Sequence, residues 1–272
     1  MSRPLRLEIP NGHFHVVSRG NGRQQVFLDD DDRRRFLDLL ERNVVGLGWR
    51  CLTYCLMGNH YHLLVATPQP NLAEGMRNLN GTYAQCFNKR YERPGHVWQG
   101  RYFSQLVQTD RYLRAVLRYV AMNPVRAGLV ARAEQWRWSA HAGLLAGRPA
   151  KVVDQQWLWG MLDSGPEQGP MAYAAAVAGA GGTDFDPTAP IMGDKDFIRE
   201  HAPSERPMDP VVKRAWEQAR PGLQELREAL PSDEFIRVAR LEHWYPIAEI
   251  AGALGCSRET VRRRLRMWDV RT

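Results

Sequence analysis

Along the first 144 residues apolar positions switch between two spacings, every second residue and every third or fourth. The switches predict an order of elements. Residues 13–19 (His-Phe-His-Val-Val-Ser-Arg) alternate as a strand and stop at the turn-forming Gly20-Asn21-Gly22. Asp29 to Asp32 supply acidic residues for a helix first turn. Phe36, Leu37, Leu39, Leu40, Val44 and Leu47 follow at helical spacing, and Gly46 and Gly48 close the segment. Residues 50–57 and 60–67 are apolar, strand-like runs separated by Gly58-Asn59, a two-residue hairpin loop by preference. Asn71 stands where it can cap a long helix through Tyr91, with Leu72, Met76, Leu79, Tyr83 and Phe87 on one stripe. Arg93-Pro94-Gly95 breaks that helix, and a strand follows at about 101–108. Asp110 then caps a helix carrying Leu113, Val116, Leu117 and Val120. Asn123-Pro124 is expected to end this helix, because a residue before proline is pushed out of the α region. The order β-α-β-β-α-β-α predicts an α+β sandwich on a mostly antiparallel sheet.

Beyond this the texture changes. From about 145 to 208 Ala, Gly and Pro accumulate (Ala174–Gly182, then Pro187, Pro190, Pro203 and Pro207), which reads as a connector with weakly helical pieces. Residues 209–272 return to a helical pattern. Three regions are therefore expected, 1–144, 145–208 and 209–272, with no internal repeat.

Within the last of them, residues 246–268 have the pattern of a helix-turn-helix. Ile247, Ile250, Ala251 and Leu254 form a buried stripe and Gly255 permits a tight turn. Ser257 caps a second helix that Val261 and Leu265 fix to the first. Arg258, Arg262, Arg263, Arg264 and Arg266 make that helix strongly basic, suited to a major groove and its phosphates. A small helical bundle used for protein contacts is the alternative.

Composition narrows the partner. The chain has 272 residues, with 37 basic against 30 acidic side chains and a formal charge of +7. The pI is near 9.5, which fits a polyanion. Arginine far outnumbers lysine, as a GC-rich genome would also produce. The four cysteines, Cys51, Cys55, Cys86 and Cys256, include no C-x-x-C pair, so a reducing compartment without a disulfide framework is expected. No run of about 18 apolar residues and no apolar signal core occurs, so the expectation is a cytoplasmic protein with no membrane partner.

Three features carry candidate chemistry. In His60-Tyr61-His62 strand alternation puts both imidazoles on one face, where they can grip a metal ion. His13-Phe14-His15 has the same spacing and reads as an ordinary edge of the first strand, so the pattern by itself does not decide. Tyr119 and Asn123, four apart on the predicted helix, aim a hydroxyl nucleophile and an amide oxygen the same way. Arg111, Arg114 and Arg118 line a neighbouring face and can hold phosphates. Taken alone, this helix fits a core tyrosine above a capping asparagine better than it fits a nucleophile. Finally Arg90-Tyr91, Arg93, His96, Trp98 and Arg101-Tyr102-Phe103 interleave cations with aromatics, which suits unstacked bases and their backbone and suits a domain surface almost as well.

Together these strings resemble a known family. Leu56-Met57-Gly58-Asn59-His60-Tyr61-His62-Leu63-Leu64-Val65 is similar to the HUH signature, two histidines flanking a hydrophobic residue. Gly95–Arg101 (Gly-His-Val-Trp-Gln-Gly-Arg) and Arg118–Gly128 (Arg-Tyr-Val-Ala-Met-Asn-Pro-Val-Arg-Ala-Gly) resemble later blocks of the REP-associated tyrosine transposases. These are domesticated relatives of the single-tyrosine HUH transposases of small insertion sequences. The resemblance spans roughly residues 5–142, and Gly58 departs from it where many relatives carry proline. It implies a ferredoxin-like fold, His60, His62 and Asn123 as metal ligands, and Tyr119 as nucleophile. Tyr112 is the rival, seven residues back on nearly the same face and about 10 Å away along the axis. The implied activity is nicking and joining of single-stranded DNA through a 5′-phosphotyrosine. The implied cofactor is a divalent ion, Mg²⁺ or Mn²⁺, and the substrates are single strands or palindromic hairpins. The enzyme is compatible with a monomer that closes its own site or a homodimer. Two other classes are weighed against this: a non-catalytic DNA-binding regulator that uses the C-terminal module, and a small-molecule phosphodiesterase or zinc hydrolase built on the two histidines.

Overall fold

The structure is a computed structural model, and it describes residues 7–109, 111–179, 185–187, 189–202, 222–242 and 247–270. The chain divides into two compact units, Pro4–Pro203 and Ser204–Thr272.

The first unit is built on a five-stranded sheet of β1 (Gly12–Arg19), β2 (Arg50–Leu56), β3 (His60–Thr67), β4 (Phe103–Val107) and β5 (Ile191–Met192), in the order β2-β3-β1-β4-β5. Every neighbouring pair is antiparallel except β4 with β5. The mostly antiparallel α+β architecture is therefore as the apolar pattern predicts. Strand partners across a ladder share a face. Val17 lies opposite His62, Arg19 opposite His60 and His15 opposite Gln105, so these side chains occupy one face. Phe14, Val16, Ser18, Tyr61 and Leu63 occupy the other.

Helices α1 (Asp30–Leu47) and α2 (Leu72–Arg90) cover the second face. Phe36 of α1 and Tyr83 of α2 pack with Tyr61 of β3 and Trp98 into a cluster of rings. It brings in two buried hydroxyls: Tyr61 Oη donates to Asn80 at 2.7 Å, with Asn80 donating onward to Ser18, and Tyr83 Oη donates to the Val26 carbonyl. Asp29 caps α1 by accepting from the Asp32 N–H, and Gly48 ends it in the left-handed region at φ +68°. Asn71 precedes α2 but does not cap it: its amide accepts from the Trp49 indole at 2.7 Å and donates to the Leu47 carbonyl, tying α2 to the end of α1.

Helix α3 (Arg111–Arg126) lies on the histidine face, with Leu113, Val116, Leu117 and Val120 buried as expected. It does not stop at Asn123-Pro124. Proline removes only the one bond its own N–H would make, and Ala127 N–H still reaches the Asn123 carbonyl at 3.0 Å. Gly128, at φ +67°, ends the turn instead. Asp110, expected to cap this helix, lies outside the described residues, and β4 is shorter than the 101–108 read from sequence. The Ala/Gly/Pro-rich stretch carries α5 (Gln155–Met161), α6 (Gly169–Ala178), β5 and α7 (Lys195–His201); α4 (His141–Leu145) precedes them. Gly169 allows close packing there, since a Cβ would fall 2.4 Å from the Trp159 ring.

The second unit contains α8 (Leu223–Ala229), α9 (Ser232–Arg237), a π-helical turn (Val238–Glu242), α10 (Ile247–Leu254) and α11 (Arg258–Val270). Its core is Leu226, Phe235, Ile236, Ala239, Ile250, Ala251, Val261 and Leu265. Gly255, at φ +62°, makes the turn between α10 and α11, and Ser257 Oγ accepts from the Thr260 N–H at 3.1 Å. Among the described residues no helix is long and apolar enough to cross a membrane.

Candidate active site

β3 starts immediately after the loop Met57–Asn59, so His60 and His62 stand at one end of the sheet facing α3. Their rings are 5.0 Å apart and almost perpendicular. His60 Nδ1 is hydrogen-bonded to the Asn59 amide oxygen at 2.6 Å. His62 Nδ1 is hydrogen-bonded to Nε2 of His15 at 3.0 Å, with the two rings stacked 4° from parallel. His15 is thus no ordinary strand-edge residue. β1 is internal to the sheet, between β3 and β4, and its register with β3 delivers His15 beside His62.

All three imidazoles are buried, His15 to 1%, His62 to 4% and His60 to 8% exposure. Burial lowers their pKa values, His15 to about 4 and His60 to about 3, with Arg19 adding to the effect at His60. His62 is driven well below the usual range by burial and then by its histidine neighbours. The cluster is therefore neutral at physiological pH, the form in which imidazole binds a metal.

Tyr119 projects from α3 onto this cluster. Its ring meets His62 edge-on at 5.5 Å and His15 edge-on at 5.7 Å. Phe185 packs on the same ring at 4.1 Å and also meets His15 at 5.7 Å, and the Arg126 guanidinium stands 4.9 Å from the Tyr119 ring centroid. One turn on, Asn123 donates to the Tyr119 carbonyl at 3.0 Å and its amide reaches His62. Tyr112, two turns back, is half-buried against the core.

A metal fits the two imidazoles. Each uses Nδ1 within the protein, and His62 Nε2 is buried without a well-formed hydrogen bond, as a nitrogen held for another ligand would be. Among the described residues no group of three His, Cys, Asp or Glu gathers to hold a cation, so the third donor must come from elsewhere.

The other expected contacts are more dispersed. Arg114 is partly exposed and Arg118 fully so, with Arg118 donating to the Gly179 carbonyl at the end of α6. The Arg111 side chain lies outside what the structure describes. Arg101 is exposed, whereas Trp98 turns inward, its indole donating to the Asn80 carbonyl at 2.9 Å. In the second unit Arg258, Arg262 and Arg263 are exposed, Arg262 standing 3.6 Å from Glu259. Residues that sequence reasoning did not single out as site residues are His15, Gln105, Arg126 and Phe185. The repeated His-x-His spacing was a signal for His15, but no local pattern marks Phe185, which comes from 66 positions beyond the tyrosine.

Residues 8–123 are similar to the family described as "Transposase IS200 like". A Haemophilus influenzae protein named "Putative REP-associated tyrosine transposase" is 30% identical over 97 residues, covering 32% of this chain and 55% of that protein. The chain thus spans about half the length of that curated relative. A solved structure of a REP-associated tyrosine transposase bound to a REP hairpin superposes with a TM-score of 0.46 at 18% identity, covering 56% of this chain and 90% of that one.

Proposed function

We propose that the chain is a metal-dependent enzyme that nicks and rejoins single-stranded DNA, with Tyr119 as nucleophile and His60, His62 and Asn123 as the metal-binding set. The observation that carries this is the Tyr119 ring lying against His62, whose Nε2 is buried without a well-formed hydrogen bond, one helical turn from Asn123. A divalent ion at these residues would polarise the scissile phosphate and neutralise the charge that develops on it. Tyr119, a weak nucleophile at the usual phenol pKa, is helped by being held in place between His15, His62 and Phe185. Its oxygen forms a bond to phosphorus as the bond to the 3′-oxygen breaks. The phenol proton is lost and the departing 3′-oxygen takes one up. Because the phosphoester is conserved in the phosphotyrosine, attack by a 3′-hydroxyl reverses the step without ATP. Arg126 beside the ring, with Arg114 and Arg118 on the same helix, supplies cations for the DNA backbone.

The substrate class proposed is a DNA hairpin or single strand; one related transposase is described as bound to a REP hairpin. The exposed arginines of α11 favour a second, duplex-binding contact by α10 and α11 acting as a helix-turn-helix. The test is incubation of the protein with labelled single-stranded DNA from palindromes flanking its gene, with Mn²⁺ or EDTA, followed by a denaturing protein gel. A labelled protein band that needs Mn²⁺ and vanishes in Tyr119→Phe is expected. Cleavage at the wild-type rate by Tyr119→Phe would refute the assignment, and tight binding without any covalent band would leave a DNA-binding regulator.

A further inference from the structure

Gln105 of β4 lies directly opposite His15 of β1 and is fully buried. Its Nε2 donates to the carbonyls of Asp186 at 2.8 Å and Ala189 at 2.7 Å, which occupies both amide hydrogens. The amide orientation is thereby set, and only Oε1 can face His15. Gln105 Oε1 and His15 Nδ1 are both buried and neither has a well-formed partner elsewhere. An oxygen can only accept, so the hydrogen of the neutral His15 ring belongs on Nδ1. His15 Nε2 is then a bare lone pair, and the 3.0 Å bond to His62 requires His62 Nδ1 to be the donor. A neutral imidazole has one ring hydrogen. His62 Nε2 is consequently left as an unprotonated lone pair, beside Tyr119.

We propose that Gln105 and His15 are positioning residues that fix the tautomer and ring plane of His62 so that Nε2 is presented bare to a divalent cation, and that the carbonyls of Asp186 and Ala189 clamp Gln105 for this purpose. The clamp lies outside the matched domain of residues 8–123, so the domain's site is completed by chain that follows it in sequence. Phe185 belongs to the same short segment and packs on Tyr119, so both halves of the site rest on it. The inference builds on the proposed metal role of His62, but its claim about proton positions can be tested without DNA or turnover.

Long-range ¹⁵N NMR of the full-length, metal-free protein would read the His62 tautomer directly. Mn²⁺ titration followed by EPR of the free ion would read affinity. The expected wild-type result is hydrogen on His62 Nδ1. In His15→Phe the acceptor is gone while ring volume is kept, and Mn²⁺ should bind 10- to 100-fold more weakly, the usual effect of losing a ligand's orienting partner. His15→Gln restores an acceptor near the same place and should recover most of the affinity, which a merely structural defect would not. The proposal is overturned if wild-type His62 carries its hydrogen on Nε2, or if a folded His15→Phe binds Mn²⁺ as the wild type does. Loss of the covalent DNA band alone would count against the proposed reaction and leave the tautomer result standing.

Discussion

Acidification of the metal-free protein should unfold it through the histidine cluster, and His15→Phe isolates one member's share. His15 is buried with its pKa lowered from 6.5 to about 4. A base whose folded pKa is depressed is protonated first in the unfolded chain, so its contribution to stability is complete above about pH 6.5 and is lost as the pH falls toward 4. The full shift corresponds to about 3 kcal/mol, and at pH 5 the linkage already amounts to ~2 kcal/mol. His60, lowered to about 3, shifts in the same direction. The three rings are in contact, so their losses combine without being additive. Guanidinium unfolding of wild type and His15→Phe in EDTA at pH 8 and pH 5 measures the effect as a double difference, in which groups elsewhere cancel. The variant is the less stable protein at pH 8, having lost the bond to His62. By pH 5 the gap should narrow by ~2 kcal/mol, because only the wild type still carries the titrating ring. A gap constant to about 0.5 kcal/mol, the usual additivity error, would refute the burial argument.

Three further outcomes follow from packing and charge. Gly75→Ala should destabilise the first unit by about 1–3 kcal/mol in thermal or chemical unfolding, although alanine is the better helix former, because a Cβ at Gly75 would fall 2.2 Å from the buried Trp49 ring. Asp29→Ala removes the cap of α1 and the Arg90 ion pair; a loss of about 1 kcal/mol is expected, nearly all from the cap, since the pair is half-exposed. Unchanged stability there would show that the Asp32 N–H finds another acceptor. Arg258→Ala, Arg262→Ala and Arg263→Ala combined should flatten the salt dependence of duplex binding by up to about 3 in slope while leaving Mn²⁺ affinity alone. An unaltered slope would remove α11 from the DNA interface.

Local periodicity carries the protein a long way. The alternation at residues 60–67, the helical stripe of α2 and the Tyr119/Asn123 spacing are determined by side-chain direction along a strand or helix, which repeats every two or 3.6 residues whatever the rest of the chain does. The order of elements through α3, and the pairing of both histidines on one face, were therefore legible from residues alone. Ends of elements were less so. At Pro124 the local preference to stop was outweighed because a single lost bond is cheap beside the apolar face α3 buries, and at Asn71 a side chain suited to capping was drawn to Trp49. Tertiary structure alone decided how the two His-x-His pairs meet at the candidate site. His13-Phe14-His15 and His60-Tyr61-His62 are locally the same, and only the antiparallel register of β1 with β3 puts His15 against His62 while Gln105 arrives from β4. Register depends on pairing between strands tens of residues apart, and a slip of one residue would have turned His15 to the opposite face. The same holds for Phe185 and the clamp on Gln105. An Ala/Gly/Pro-rich stretch has no period of its own, so its place against Tyr119 comes from contacts the fold provides and the segment's own sequence does not announce.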